Sequence, residues 1–240
     1  MAVDPKPTPV GLVIKSASIQ RALEALLLAA RRDAPIMLRA EIGSGLGTLA
    51  RTAHANSPQR ERPFLRLACA SMAELPSKTS LVTNGGTVFL EEIGQLPAEL
   101  QMKLAHLLDE LSAQAADIRL ISSVRQDVDQ DLTKGRLRSD LFFRLNTVEI
   151  LVPPLRDRRE DIMPLARRFI ASLSAGLGRK APTLSKGAAT ALLAHSWPGN
   201  VRELRNVLER ALLIWPADVI EAEAFAADYL GTSSPDVRSR

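Results

Sequence analysis

The run Gly85-Gly86-Thr87-Val88-Phe89-Leu90-Glu91-Glu92-Ile93-Gly94-Gln95-Leu96-Pro97 restricts this chain more than any other stretch. Val88 to Leu90 is a short, β-prone apolar segment that stops at two carboxylates. Such a strand suits the interior of a parallel sheet, where both faces are covered, and it brings its acids to the carboxyl edge at which α/β proteins bind ligands. Beyond Pro97 the apolar spacing becomes helical, with Leu100, Leu104, Leu107 and Leu108 recurring on one side. Strand, acidic turn and helix together read as a Walker B element. In that element the first acid supports a magnesium ion and the second polarises an attacking water. A chemically silent acidic turn is the alternative, and the surrounding chain has to decide between them.

The matching half of a nucleotide site would be a strand, a glycine-rich turn and a helix. Pro35 to Leu38 reads as a short buried strand, and it runs into Arg39-Ala40-Glu41-Ile42-Gly43-Ser44-Gly45-Leu46-Gly47-Thr48-Leu49-Ala50-Arg51. Against the P-loop pattern G-x-x-x-x-G-K-[ST], Ala40 replaces the first glycine and Gly45 is retained. Leu46 stands at the lysine, and Gly47 at the magnesium-side hydroxyl. The backbone N–H groups of Gly43 to Gly47 can still form an anion nest at a helix N-terminus. The charge is gone, and a charge-assisted hydrogen bond to phosphate contributes roughly 1.5–3 kcal/mol. Thr48 comes one residue late, about 100° round the helix, and is a poor replacement ligand. In the acidic strand Glu91 stands where aspartate is usual. Its extra methylene moves the carboxylate by about an ångström, a displacement that costs on the order of 10²-fold in an aligned site.

Three further strands are predicted, at Pro63 to Met72, Asp117 to Val124 and Val148 to Val152, the second ending at Arg125. Five short strands with helices or loops between them predict a mostly parallel sheet with helices on both faces over 11–155. Within it, Ser18 to Ala30 reads as an amphipathic helix capped by Ser18, and Leu137 to Leu145 as a helix carrying Arg138 and Arg144. As isolated charges those arginines suit pairing with Asp140 or other nearby acids. From Leu155 the strand pattern disappears. Helical spacing over Arg159 to Leu173, Ser185 to His195, Asn200 to Trp215 and Ala222 to Tyr229 predicts a small all-helical domain over 156–230, with Asn200 as a helix N-cap. Residues 1–10 and 231–240 read as flexible tails.

Composition excludes several classes. A chain of 240 residues, 46% hydrophobic and 24% charged, is ordinary for a protein with a substantial core. No apolar run reaches membrane-spanning length and no signal-peptide core is present, so no membrane partner and a cytoplasmic setting are expected. The single cysteine, Cys69, lies in an apolar run and predicts a buried, reduced thiol. Net charge is +4, but Arg31-Arg32, Arg158-Arg159 and Arg167-Arg168 are dispersed among acids, as on solvated helix faces. His54, His106 and His195 are too scattered for a metal constellation.

Four stretches carry a resemblance: Gly85 to Gly94; Arg138 to Asn146; Pro153-Pro154-Leu155-Arg156-Asp157-Arg158-Arg159-Glu160-Asp161-Ile162; and Trp197-Pro198-Gly199-Asn200-Val201-Arg202-Glu203-Leu204. In this order they resemble the central AAA+ domain of bacterial sigma-54-dependent transcriptional activators, over roughly Gly11 to Leu230. The resemblance implies a P-loop-type α/β core followed by a helical lid. It implies that Glu91 and Glu92 are the Walker B acids, with Glu91 on the metal, and that Arg125 holds the sensor I position, usually a small polar residue. Arg138 and Arg144 match the arginine fingers and Arg202 the sensor II arginine, while Gly43, Ser44, Gly45, Leu46, Gly47 and Thr48 match the nucleotide-binding turn. Similar proteins form rings with ATP and magnesium between subunits and remodel sigma-54 polymerase.

The departures from that pattern set the functional expectation. Lysine is lost at Leu46, aspartate at Glu91, and the small sensor residue at Arg125, whose charge would partly offset the missing lysine. The family's surface insertion tipped G-A-F-T-G-A is absent, only Ala73 to Asn84 bridging that stretch, and a second loop is cut to about Ser112 to Asp117. The joint loss of these two loops predicts no direct sigma-54 contact, and with neither a receiver domain nor a helix-turn-helix expected, direct DNA binding is not expected. The expectation is a degenerate regulator without ATP hydrolysis in cis, acting by protein–protein contact on homologous AAA+ subunits or another transcription regulator. The alternative is a regulator that binds ATP or ADP weakly. An active ATPase using other residues is a third reading, which Leu46 opposes.

Overall fold

The computed structural model describes residues 12–32, 34–77, 85–113 and 117–225. The expected tails, part of each shortened loop and the end of the last predicted helix lie outside the described residues. The chain divides into two compact units, the first over Ala17–Pro153 and the second combining Val13–Ser16 with the residues from Pro154 onward.

The first unit is a five-stranded parallel sheet. Its strands are β1 (Ile36–Ala40), β2 (Phe64–Ala68), β3 (Gly86–Glu91), β4 (Ile118–Arg125) and β5 (Val148–Leu151), in the spatial order β2-β3-β4-β1-β5. Helices α1 (Ala17–Ala30), α2 (Leu46–Ala55), α3 (Ala98–Ala113), α4 (Val128–Thr133) and α5 (Ser139–Leu145) accompany it. Successive residues of β3 face opposite ways. Val88 and Leu90 pack with Leu100, Leu104 and Leu108 of α3, while Thr87 on the other face meets His54 of α2 at 2.8 Å. Both faces are therefore covered, and the strands need no polar alternation. Helix α1 starts at Ala17, so Ser18 lies inside its first turn rather than capping it. Its other end is closed by the buried Arg119, which donates to the carbonyls of Arg32 at 2.7 Å and Ala29 at 2.9 Å.

The Gly85-Gly86 pair is where β3 must pass close to the start of β2. At Gly86, φ is +88° and a Cβ would lie 2.2 Å from the Pro63 carbonyl oxygen. Only glycine fits both conditions. That close approach lets Thr87 N–H donate to the same carbonyl at 2.9 Å and sets the β2–β3 register, Arg66 opposite Phe89 and Ala68 opposite Glu91.

The second unit is helical, with one addition to the expected pattern. Helices α6 (Ile162–Gly176), α7 (Lys186–Ala194) and α8 (Asn200–Ile214) enclose a core that includes Leu155, Ile170, Leu192, Trp197, Leu204 and Phe225. A two-residue parallel pairing of Thr183–Leu184 with Val219–Ile220 ties the flanks together. Ser185 caps α7 by accepting from Ala188 N–H at 3.1 Å. Asn200 is not the cap of α8, which is Gly199. Asn200 adopts a left-handed φ of +53° and accepts Leu155 N–H at 2.7 Å through its side-chain oxygen. Asparagine is among the few residues that tolerate that backbone region.

Candidate nucleotide site

The sheet register decides which functional side chains share an edge. Met37 of β1, Ser122 of β4 and Leu90 of β3 lie level, so the ends of these strands carry the glycine turn, Arg125 and the Glu91-Glu92 pair to one carboxyl edge. Four of the predicted groups are thereby brought together.

The glycine turn keeps its backbone and lacks its charge. Gly43 and Gly45 have φ of +83° and +94°, and Gly45 caps α2, whose Thr48 and Leu49 N–H groups donate to its carbonyl at 3.0 and 3.3 Å. A Cβ at Gly45 would meet nothing within 4 Å, so glycine is required there by backbone angle rather than by space. The Ser44 hydroxyl donates to the Glu41 carbonyl at 2.7 Å. Leu46 is buried, with 8% of its surface exposed, as an apolar first residue of the helix. Thr48 is exposed. The lysine charge is not supplied from either flanking strand. Arg39, at the end of β1, donates to the Gln126 carbonyl at 2.9 Å and pairs with Asp129. Arg125 pairs with Asp131 at 3.3 Å and Asp127 at 3.7 Å.

Glu91 is held by an arginine that the sequence reading did not single out. Arg66 of β2 shares a face with Ala68, the register partner of Glu91, because side chains two apart on a strand point the same way. Its Nε donates to Glu91 Oε2 at 2.9 Å and its Nη2 to Glu91 Oε1 at 2.7 Å, a forked pairing that engages both carboxylate oxygens. The same guanidinium stands beside the glycine turn, its central carbon 4.0 Å from where a Cβ of Gly47 would be. One sequence signal pointed to it: Arg66 is the only charge in the otherwise apolar run from Phe64 to Ala70.

Three further groups lie around this edge. Glu92 follows β3 in the left-handed region, φ 59° and ψ 60°, and its N–H donates to the buried Ser123 hydroxyl at 2.9 Å. A non-glycine residue in that region costs on the order of 1–3 kcal/mol, and such residues cluster at functional sites. Asp131 accepts from Arg136 Nε at 2.8 Å as well as from Arg125. Burial alone would raise its pKa, but the two guanidinium hydrogen bonds outweigh it and hold the carboxyl below the ordinary aspartate value. Cys69 is fully buried, and burial followed by the charges of Glu92 and Glu91 pushes its thiol up to about 12, so it is an inert core thiol.

The three arginines predicted outside this edge are placed as follows. Arg138 forks onto Asp140 with Nε–Oδ1 at 3.0 Å and Nη2–Oδ2 at 2.7 Å. Its backbone N–H donates at 2.9 Å to Gln101, a buried side chain that also donates to the Arg136 carbonyl. Arg144 pairs with Asp109 of α3. Both arginines are thus tied within their own chain. Arg202 lies exposed on α8 of the second unit.

A magnesium ion does not suit these donors. Gly47 offers no hydroxyl, and both oxygens of Glu91 accept from Arg66. Among the described residues no group of three or more His, Cys, Asp or Glu is arranged to hold a metal.

The sequence matches the family described as Sigma-54 interaction domain over residues 13–155. The chain belongs to that family. An AAA+ ATPase lid domain follows over 156–240. Among curated relatives of this sigma-54 interaction domain, the alginate biosynthesis transcriptional regulatory protein AlgB of Pseudomonas aeruginosa is 33% identical, covering 95% of this chain and 57% of AlgB. The sigma54-dependent transcriptional regulator SfnR of Pseudomonas fluorescens is 34% identical, covering 93% of this chain and 69% of SfnR. The AlgB match runs over 257 positions, more than the 240 residues available here, so part of that relative lies opposite gaps. Among solved structures, NtrX from Brucella abortus matches with a TM-score of 0.82 at 27% identity, covering 96% of this chain and 58% of NtrX. NtrX has also been crystallised with ADP and with ATP. The chain therefore spans somewhat over half the length of AlgB and NtrX. Among the described residues, no helix is long and apolar enough to cross a membrane.

Proposed function

We propose that this sigma-54 interaction domain is a hydrolytically silent transcription regulator, working through contacts with homologous AAA+ subunits or another regulator. The observation that carries the reading is the state of Glu91, which stands at the first Walker B acid with both oxygens engaged by Arg66. Loss of the lysine at Leu46 acts in the same direction. With no lysine on the glycine turn and the metal-side acid neutralised, the chain lacks two of the electrostatic elements that phosphoryl transfer in cis depends on.

The same reading assigns roles to the retained arginines. Arg138 and Arg144 would face a neighbouring subunit's phosphates, and their release from Asp140 and Asp109 would be part of joining a ring. The shortened loops support a subunit that modulates intact homologues without engaging sigma-54 itself. The test is to mix the purified chain with an intact homologue over a range of ratios and follow ATP hydrolysis and co-elution. A ratio-dependent change in rate with co-elution is expected. An unchanged rate together with separate elution removes the proposal, and so does ATP hydrolysis by the isolated chain at the rate of its intact relatives.

A second reading, nucleotide binding without hydrolysis, is favoured by the preserved left-handed glycines at Gly43 and Gly45. The crystallisation of NtrX with ADP and ATP supports it by analogy. Calorimetry with ATP separates the two: no heat at millimolar nucleotide excludes binding and leaves the contact-only regulator.

A further inference from the structure

The charge that balances Glu91 is itself informative. In this sheet the residue aligned with the metal-side hydroxyl, Gly47, and the residue aligned with the metal-side acid, Glu91, are both next to one guanidinium. Arg66 Nε and Nη2 reach Glu91 at 2.9 and 2.7 Å, and the guanidinium carbon lies 4.0 Å from the Cβ position of Gly47. A divalent ion bridging those two positions would need the space and the carboxylate oxygens that Arg66 uses. We infer that Arg66 is the resident cation of this site, satisfying Glu91 in place of a divalent metal, so that the folded chain leaves such metals unbound there.

The chemistry of the two cations explains why the replacement is self-consistent. A guanidinium is permanently charged and planar, and its fork matches the two oxygens of a carboxylate. It needs no further ligands, whereas magnesium demands near-octahedral oxygen coordination, to which Gly47 adds no side-chain oxygen. A side chain at 47 would meet the Arg66 guanidinium, whose carbon lies 4.0 Å from the Cβ position, so Gly47 and Arg66 are mutually compatible. Glu91 is the less exposed partner, its side chain 19% exposed against 49% for Arg66, so the carboxylate depends more on the pair than the arginine does.

The inference rests on reading this edge as silent, and the experiment separates the two. Mn²⁺ is titrated into the full chain while the resonance of the free ion is followed, and melting is compared in MgCl₂ and in EDTA. The unaltered chain is expected to leave Mn²⁺ free to the same extent as Glu91→Gln and to melt at the same temperature in both buffers. Arg66→Ala is expected to melt lower and take up Mn²⁺ about tenfold more tightly, with melting raised again by MgCl₂. Both gains should vanish in Arg66→Ala combined with Glu91→Gln, and Arg66→Lys should remain indifferent to metal. Mn²⁺ uptake by the unaltered chain that Glu91→Gln abolishes would overturn the inference, as would an Arg66→Ala chain that takes up no Mn²⁺. ATP hydrolysis by the unaltered chain in MgCl₂, with Mn²⁺ still left free in the absence of nucleotide, would sink the silent-site reading and leave this one standing.

Discussion

Asn200 accepts the backbone N–H of Leu155 through its side-chain oxygen at 2.7 Å, and both residues are completely buried. This bond joins the start of α8 to a segment 45 residues earlier in the chain, and Asn200 makes it from a left-handed backbone at φ +53°. Asn200→Gly keeps the backbone angle but orphans the Leu155 N–H, which should cost about 1–3 kcal/mol. Asn200→Ala adds the left-handed penalty of roughly another 1–2 kcal/mol. Chemical denaturation of the two variants checks the order; equal losses would show that the backbone angle contributes nothing.

Gly86→Ala should be the most damaging single methyl group in the first unit. The added Cβ would lie 2.2 Å from the Pro63 carbonyl at a φ of +88°. Neither strand can retreat without breaking the β2–β3 register, so a loss of at least about 3 kcal/mol is expected. Thermal melting of the variant measures it.

Restoring the lysine alone should not restore hydrolysis. Leu46→Lys places a charge where a largely buried leucine packs, and about 1–3 kcal/mol of stability should be lost, limited by the lysine's ability to extend toward water. Gly47 still brings no hydroxyl and Glu91 remains on Arg66. ATP turnover should stay at background, and turnover approaching that of intact relatives would show that the missing charge was the sole defect.

Stability should depend on pH through His54. Burial is the main cause that lowers its pKa below the ordinary value near 6.5, with the charges of Arg119 and Arg51 adding to it against an opposing hydrogen bond from the ring to the Arg62 backbone. A group depressed on folding contributes stability that is fully present above its unfolded pKa and lost as pH falls through its folded pKa. The chain should therefore weaken as pH drops below about 6.5. His54→Gln, which retains a partner for the Thr87 hydroxyl, should flatten that slope in denaturation series across pH.

Asp131 should add a second loss at lower pH. Its carboxyl is depressed on folding by Arg136 and Arg125 against the opposing effect of burial. Its stabilisation is present above the ordinary aspartate pKa of about 3.9 and disappears as pH falls from there through the lower folded value. Asp131→Asn should be destabilised at neutral pH and should lack this acid-side slope.

Much of the fold was legible because it depends on local pattern. Val88 to Leu90 and Ile36 to Leu38 are apolar on both faces, and only a covered parallel sheet accommodates several such strands. The glycine turn was legible for the same reason, since Gly43 and Gly45 mark backbone angles. The caps were not. Ser18 and Asn200 have the right side chains for caps, but helix start sites follow tertiary contacts, so the helices begin at Ala17 and after Gly199. Arg66 escaped notice because its partner is 25 residues away on another strand. Only the β2–β3 register puts the two on one face.

The sequence by itself determined the strand–turn–helix order, the loss of the lysine at Leu46 and the family to which the chain belongs, since each is a matter of residue type at a fixed spacing. Tertiary structure alone decided the rest of the site's electrostatics: that Arg66 neutralises Glu91, that Asp131 draws Arg125 aside, and that Asp109 holds Arg144, whereas the Arg138–Asp140 pairing was already a reading of the sequence. The reason is one of range. Periodicity and backbone preference act over a few neighbours, whereas a charge responds to whatever the fold brings within a few ångströms, regardless of distance along the chain.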